Sequence, residues 1–147
     1  MQTFLPYANF KKSAQCLDNK RLGKQRVEVL QILKTLAGES KGWQNHPAVK
    51  MWRGYEAALI DYGKAICEEW KRRCFKDTCY EKIIFYSDKF AFRSREPWWF
   101  NYKVFHNSHK SNLLRKDPVH YGQFNWNVPD DLPYVWPESK QYLQYLL

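Results

Sequence analysis

The 147-residue sequence predicts an all-α fold: a compact single helical domain, residues 1–147, ending in an irregular tail rich in aromatic residues and proline. Apolar residues recur at helical spacing in the first half of the chain, which is typical of amphipathic helices. Hydrophobic residues make up 44% of the chain, enough to offset the entropy of ordering it. Three late prolines, Pro129, Pro133 and Pro137, argue against regular structure near the C-terminus.

The first predicted helix spans residues 13–36 and follows an irregular N-terminal arm. Ser13 can cap its first turn, and Gly38 follows its end, where helices commonly stop. Gly23 lies inside this helix, where a glycine either permits close approach of another element or marks a break. The apolar stripe consists of Leu22, Val29, Leu33 and Leu36.

Two further helices are predicted before residue 92. Residues 39–46 form a loop, and Pro47 suits the first turn of a helix over residues 47–73 that bends near Gly54. Residues 77–91 predict a third helix, although residues 83–86 could form a short strand instead.

The last third of the chain is predicted to be less regular. Residues 95–100 form an irregular aromatic segment, and a short helix over residues 108–116 stops before Pro118. The tail from Gly122 is expected to wrap over the helices and bury its aromatic side chains. A last short helix is predicted over residues 138–147.

The formal net charge of +9 is concentrated at the N-terminal end of the chain. Residues 1–53 contain ten lysines and arginines but three acidic residues, which gives them a charge of +7. One-sided positive charge attracts polyanions, so it favours nucleic acid as a partner over a merely soluble basic protein.

Several classes of protein are excluded by what the sequence lacks. It has no run of 18 apolar residues that could span a membrane and no signal-peptide pattern, so we expect a cytoplasmic protein. The four cysteines form no C-x-x-C pair and are expected to be free thiols. The motifs of phosphate-loop, Rossmann, serine-hydrolase and zincin proteins are absent, and no cofactor is expected.

The densest polar cluster occupies residues 17–28, in the first predicted helix. Asp18, Arg21 and Gln25 share one face beside the apolar stripe, so we expect them at the edge of a cleft. The alternative is a solvated face on which Asp18 and Arg21 form an ion pair. The flanking basic residues are Lys20, Lys24 and Arg26.

A second cluster, residues 105–118, contains residue types that contact phosphate groups. A helix beginning at Ser108 would direct its free N–H groups at an anion. A metal site formed by His106, His109 and His120 is the less favoured alternative, because no carboxylate or cysteine of suitable spacing accompanies these histidines.

A third cluster, residues 46–55, opens the second predicted helix with a basic strip. Trp52 and Tyr55 either stack on a base or pack in the core, and packing is the more frequent use of aromatic residues at helical spacing. The basic strip consists of His46, Lys50 and Arg53.

Together the clusters resemble the pyrimidine-dimer DNA glycosylase family, in particular its bacterial and phage branch. The segments that carry the resemblance are QTFLP (2–6), LDNKRLGKQRVE (17–28), HPAVKMWRGY (46–55) and HKSNLLRKDP (109–118). A weaker similarity, in residues 66–75 and Arg115, links the chain to the phage endonuclease V enzymes.

The resemblance implies a helical enzyme whose basic face binds damaged double-stranded DNA and draws a base out of the helix. It also implies a two-step reaction. An amine attacks C1′ of the 5′ nucleotide of the dimer to give a Schiff base, and β-elimination then cuts the strand with the support of a carboxylate. We expect the protein to act as a monomer.

The nucleophile is one departure from the phage enzymes. Those enzymes use the α-amine exposed when methionine is removed before a small residue, whereas Gln2 is bulky. The nucleophile here is therefore the α-amine of Met1, a lysine, or water. An α-amine is a better nucleophile than an ordinary lysine because it is less fully protonated at neutral pH.

The catalytic carboxylate is the other departure. An ungapped match of the first helix places Gly23 where the phage enzymes carry their catalytic glutamate, and it aligns Arg26 with an active-site arginine. The nearby carboxylates are Asp18 and Glu28, of which Asp18 lies on the better face of the predicted helix.

We therefore predict a DNA-repair N-glycosylase for damaged pyrimidines such as UV dimers, with or without a following AP-lyase step. Trp98, together with Trp52 and Trp99, is a candidate to stack on a base or fill its gap. Two alternatives stay open: an N-glycosidase that uses water on a modified base or nucleotide, and a non-catalytic basic DNA-binding module.

Each predicted site residue has an expected role. Asp18 stabilises developing positive charge or positions water, and the arginines and Gln25 orient the sugar-phosphate. The predicted catalytic residues are Met1, Asp18, Arg21, Gln25 and Arg26. The predicted DNA-binding residues are Lys20, Lys24, His46, Lys50, Arg53, His109, Lys110, Asn112, Arg115 and Lys116.

Overall fold

The computed structural model describes residues 1–90 and 95–137, and every regular element within these ranges is a helix. The predicted all-α class is confirmed, while the helix predicted over residues 138–147 lies outside the described residues. The elements are α1 (Phe10–Cys16), α2 (Asn19–Leu36), α3 (Pro47–Lys50), α4 (Glu56–Arg72), α5 (Tyr80–Ile84), α6 (Ser87–Phe90), α7 (Lys103–Lys116), α8 (Pro118–Tyr121) and a 3₁₀ turn, Gly122–Phe124. Across these ranges we find no helix with the length and apolarity needed to span a membrane.

The first predicted helix is in fact two helices, because the chain turns at Leu17 and Asp18. Both residues have extended backbone conformations, with ψ of 139° and 159°. The Asp18 side chain accepts a hydrogen bond from the Arg21 N–H and so caps α2. The prediction of one helix over residues 13–36 was wrong, since an aspartate that can cap a helix competes with continuation of the preceding one.

The second predicted helix is also divided, into α3 and α4. Gly54 has a φ of +89°, a left-handed conformation that interrupts a helix and that glycine adopts without strain. The chain therefore breaks, rather than bends, at the predicted position. The third predicted helix is divided into α5 and α6, and residues 83–86 form no strand.

Helix α7 begins at Lys103, five residues before the predicted start. Residues 103–107 contain neither glycine nor proline, so nothing in them stops the helix from extending toward its N-terminus. Ser108 therefore lies inside the helix, where its N–H is not free. The prediction that a helix beginning at Ser108 directs N–H groups at an anion was wrong.

The core forms where α2 packs on α4 and where α1 packs on the same helix. Trp52 and Trp99 lie in this core with no exposed surface, so neither ring can stack on a base in this conformation. Of the three candidate tryptophans, Trp98 is the exposed one, at 38%. The tail over residues 122–137 packs aromatic side chains against the core, as predicted: Phe124, Trp126, Tyr134 and Trp136.

Gly23 lies where α2 passes closest to Trp70 of α4. A Cβ atom at Gly23 would come within 2.8 Å of Cη2 of the Trp70 ring, which is closer than van der Waals contact allows. Of the two interpretations that the sequence left open, close approach is confirmed.

We expect Gly23→Val to lower the free energy of unfolding by about 1–3 kcal/mol, the usual cost of overpacking a core. The reason is that the added atoms displace the Trp70 ring, while the two residues differ little in helix propensity. Urea denaturation measures the change. Gly42→Val is the matched control, because a Cβ there has no atom within 4 Å. Equal stability of the two variants would contradict the packing.

Candidate active site

The first residues of the chain form an irregular arm that is buried. Gln2, Thr3, Phe4 and Leu5 are each at most 8% exposed. The arm has no helical hydrogen bonds of its own, so side chains must satisfy its buried N–H and C=O groups.

Gln25 of α2 holds the middle of the arm from one side. Its Oε1 accepts a hydrogen bond from the Phe4 N–H at 3.0 Å, and its Nε2 donates to the Gln2 carbonyl at 2.9 Å. The Tyr62 hydroxyl of α4 lies 2.8 Å from the same Oε1 and 2.7 Å from the Phe4 carbonyl. The Gln25 side chain is 1% exposed, so it is a structural clamp on the arm.

Two histidines of α7 hold the next residue of the arm. The Leu5 N–H donates to Nδ1 of His109 at 2.9 Å, and the Leu5 carbonyl lies 2.7 Å from Nδ1 of His106. Burial lowers the pKa of His109 to about 3, so its Nδ1 is free of a proton and can accept the bond. The structure places His109, which the sequence predicts to contact DNA, in the core with no exposed surface.

Asn112 is buried one turn further along α7. Its Nδ2 donates to the carbonyls of Ser108 and Leu132 at 2.7 and 3.1 Å, which ties the tail to the helix. The structure therefore places Asn112, also predicted to contact DNA, in the interior with 1% of its surface exposed.

The N-terminal end of the arm lies beside a carboxylate. The Gln2 N–H donates to Oε2 of Glu28 at 2.5 Å, so the first peptide of the chain lies against this side chain. Glu28 is 8% exposed, and Nζ of Lys24 lies 3.6 Å from its other oxygen. Met1 therefore lies close to Glu28, the carboxylate that the predicted helix face made the weaker candidate.

Met1 and Glu28 line the same cleft, which has a volume of about 390 Å³. That volume falls within the range of small-molecule sites. Among the described residues that line the cleft, Glu28 carries the only carboxylate. The lining residues are Met1, Gln2, Phe4, Lys20, Arg21, Lys24, Gln25, Glu28, Lys116, Tyr134 and Trp136.

The walls of the cleft combine cations with aromatic rings. Basic side chains from α2 and from the end of α7 face rings from the arm and the tail. Cations bind phosphates and aromatic rings stack on bases, so this lining has the chemistry to bind a nucleotide. The cations are Lys20, Arg21, Lys24 and Lys116, and the rings are Phe4, Tyr134 and Trp136.

Asp18 does not line the cleft. Its side chain instead caps α2. Its oxygens accept hydrogen bonds from the Arg21 guanidinium, at 3.2 and 3.3 Å, and from the Tyr121 hydroxyl. Burial works to raise the pKa of Asp18, but the bonds from Tyr121 and Arg21 outweigh it and lower the pKa. The carboxylate is thus ionised at neutral pH and engaged in holding two helices.

Arg26 lies on another face of α2 and does not line the cleft. Its guanidinium bonds Asp77 at 2.7 Å and lies 4.6 Å from the Trp70 ring centroid.

Glu28 could have been found from the sequence, because Arg21, Gln25 and Glu28 recur at i, i+4 and i+7 on one helix face.

The remaining predicted DNA-binding residues lie outside the cleft. Lys50 and Arg53 are exposed, and His46 caps α3 by accepting from the Ala48 N–H at 3.0 Å. Nζ of Lys110 lies 5.1 Å from the Tyr7 ring centroid, and Arg115 donates to the Asp130 carbonyl at 2.8 Å. Over residues 1–90 and 95–137, no three His, Cys, Asp or Glu side chains are grouped to hold a metal ion.

Residues 1–82, more than half of the chain, match the family model described as pyrimidine dimer DNA glycosylase. The match includes the buried arm, Glu28 of α2, the capping residue Asp18, and the whole of α3 and α4. No curated protein matches the chain, and no solved structure matches it.

We expect Gln25→Leu to lower the free energy of unfolding by about 2–4 kcal/mol, because it leaves the Phe4 N–H and the Gln2 carbonyl buried without partners. Amide hydrogen exchange would show Phe4 losing protection before the helices do. Gln15→Leu is the control, since Gln15 is exposed on α1. Unchanged exchange at Phe4 in the Gln25 variant would contradict the clamp.

Proposed function

Since the chain belongs to the pyrimidine dimer DNA glycosylase family, we propose that the cleft beside Met1 and Glu28 is where a damaged pyrimidine is cut from its deoxyribose. The observation that carries the proposal is the 2.5 Å hydrogen bond from the Gln2 N–H to Glu28. It holds the start of the chain against a carboxylate in a cleft lined by cations and aromatic rings.

The proposed nucleophile is the α-amine of Met1. Its nitrogen forms a bond to C1′ while the glycosidic bond to the pyrimidine breaks, and the electron pair of that bond leaves with the base, which takes up a proton. The nitrogen then loses a proton, and opening of the sugar ring at O4′ gives the imine. Removal of a proton from C2′ expels the 3′ phosphate and cuts the strand, which is the proposed lyase step.

Glu28 is the proposed partner of this amine. A carboxylate beside C1′ stabilises the positive charge that develops on the sugar and can accept the proton that the amine releases. Nζ of Lys24 lies 3.6 Å from this carboxylate. Asp18 is the weaker candidate because its oxygens are already engaged by Arg21 and Tyr121.

The other cleft residues have proposed binding roles. Lys20, Arg21 and Lys116 neutralise the phosphates beside the extrahelical nucleotide, and the aromatic wall stacks on its base. Gln25, which we had expected to orient the sugar-phosphate, acts instead through the arm and is a positioning residue.

We expect Glu28→Gln to slow cleavage of the glycosidic bond in a UV-irradiated oligonucleotide by about 10²–10⁴-fold. Glutamine still accepts the Gln2 N–H bond through its carbonyl oxygen, so the arm stays in place while the negative charge is lost. The base of a cyclobutane dimer stays joined to its neighbouring pyrimidine after this bond breaks, so single-turnover assays follow the reaction as strand breaks on a denaturing gel after alkali treatment.

Asp18→Asn is the comparison that separates the two carboxylates. Asparagine caps a helix as well as aspartate does, so we expect a small loss of stability and a rate within about threefold of the unaltered protein. A larger loss in Asp18→Asn than in Glu28→Gln would assign the chemistry to Asp18. An unaltered protein that binds the oligonucleotide but forms no alkali-labile site in it would favour the non-catalytic DNA-binding module.

Lys116→Ala should weaken DNA binding and reduce the slope of log affinity against log salt by about 0.9, the loss of one phosphate contact. Titrations of a fluorescent duplex at several salt concentrations measure the slope. Lys76→Ala is the control, because Lys76 is exposed and does not line the cleft. The same slope change in both variants would indicate a general effect of charge rather than a contact in the cleft.

A further inference from the structure

The side-chain amide of Gln2 has one bonded atom and one unbonded atom. Its Oε1 accepts a hydrogen bond from the Thr3 N–H at 2.9 Å, so the oxygen of the amide faces the backbone and the nitrogen faces away from it. Its Nε2 is buried and has no hydrogen-bond partner within residues 1–90 and 95–137. Since Gln2 is 8% exposed and lines the cleft, an unpaired donor belongs to the cleft wall.

The other hydrogen-bonding groups of Gln2 hold this amide in place. The Gln2 N–H donates to Glu28, and the Gln2 carbonyl accepts from Nε2 of Gln25 at 2.9 Å. Thr3, which holds Oε1, is itself anchored, because its Oγ1 accepts from Nε1 of the buried Trp52 at 3.0 Å. Nε2 therefore cannot turn toward another acceptor in the protein unless the amide gives up its bond to Thr3.

The position of the unpaired nitrogen distinguishes Gln2 from other buried polar residues. Arg26 and His109 also have a buried nitrogen without a partner in the described part of the chain, but neither residue lines the cleft. Gln2 follows Met1 across a trans peptide bond, so their α-carbons are about 3.8 Å apart. A nucleotide whose C1′ reaches the Met1 amine therefore has other atoms near Gln2.

A buried donor without a partner lowers the stability of the folded protein, so its presence calls for a functional explanation. Because Nε2 is buried, water does not satisfy it in the free protein, and the acceptor has to arrive with the ligand. A ligand that seats against the wall of the cleft and brings an oxygen to Nε2 removes this cost.

The pyrimidine itself carries an acceptor close to the bond that breaks. C1′ is bonded to N1, and O2 lies on the ring carbon next to N1, on the minor-groove edge of the base. When the glycosidic bond breaks, the electron pair spreads from N1 onto O2. A fixed donor at O2 stabilises this charge as it develops, in the way that an oxyanion hole does.

We propose that Nε2 of Gln2 donates a hydrogen bond to O2 of the 5′ pyrimidine of the dimer and stabilises that base as it leaves C1′. The inference deepens the proposed glycosylase function and rests on it. Gln2 is then a catalytic residue as well as part of the arm, and the bond from Thr3 orients its donor before the substrate arrives.

Two variants separate the donor from the rest of the side chain. Gln2→Glu keeps an oxygen for the Thr3 N–H but has no donor at about pH 8, where the carboxyl is ionised. Gln2→Met keeps the length of the side chain and removes both the donor and the acceptor. Each variant has a bulky second residue, so Met1 stays in place.

We expect both variants to slow the formation of alkali-labile sites in a UV-dimer oligonucleotide by about 10²-fold or more in single-turnover assays. Gln15→Glu is the matched control for the added charge, because Gln15 is exposed on α1. If Gln2→Glu cleaves at the unaltered rate, the bond to Thr3 is all that matters and the proposal is overturned. Unaltered cleavage by Gln2→Met would overturn it as well.

A second readout needs no turnover and keeps Gln2 unaltered. It follows the side-chain ¹⁵N–H signals of Gln2, identified by their absence from Gln2→Glu, in the slow variant Glu28→Gln. Binding of a duplex with one UV dimer should move these signals downfield and slow their exchange with water. A duplex with a tetrahydrofuran abasic site in place of the 5′ nucleotide keeps the phosphates but lacks O2, and it should move them far less.

Signals that stay in place with the dimer, or that move equally with both duplexes, would overturn the contact with the base. Failure of the proposed function gives a different result, because the unaltered protein then forms no alkali-labile site. Failure of the Gln2 inference leaves that activity intact.

Discussion

Four backbone N–H groups at the start of the chain, from Gln2 to Leu5, are buried away from any helix, and each must find an acceptor. Glu28, the Gln2 side chain, Gln25 and His109 provide them in turn. An unpartnered buried N–H costs about 1–3 kcal/mol, so the arm and the helices around it specify one another. The position of Met1 in the cleft follows from this requirement.

The same requirement decides what the polar residues do. Gln25 and His109 occur in motifs that suggest contact with a substrate, yet the side chains of both accept hydrogen bonds from the backbone of the arm. Glu28 differs because it accepts a bond from the arm and still lines the cleft. We therefore regard α2 as a helix whose inner residues place the arm and whose outer residues, such as Lys20 and Lys24, line the cleft.

Local patterns in the sequence were sufficient for the helical class and for the face of α2 that carries Arg21 and Gln25, but they left two interpretations of Gly23 open. They were insufficient for the break at Asp18, because a capping aspartate and an exposed helical aspartate leave the same local pattern. They also could not identify His109 as buried, since its partner lies 104 residues earlier in the chain. Asp18 was preferred to Glu28 because the predicted helix continued through Asp18, whereas in the structure Asp18 caps α2 and Glu28 lines the cleft.

We propose that the buried arm presents the amine of Met1 to the substrate beside Glu28. Borohydride reduction during turnover on a UV-dimer oligonucleotide tests it most directly, because it converts an imine into a stable bond. We predict a covalent protein–DNA adduct whose mass and peptide map locate it at the amine of Met1. The Glu28→Gln variant should form less of this adduct. An adduct on a lysine side chain, or cleavage of the glycosidic bond with no adduct at all, would contradict the account.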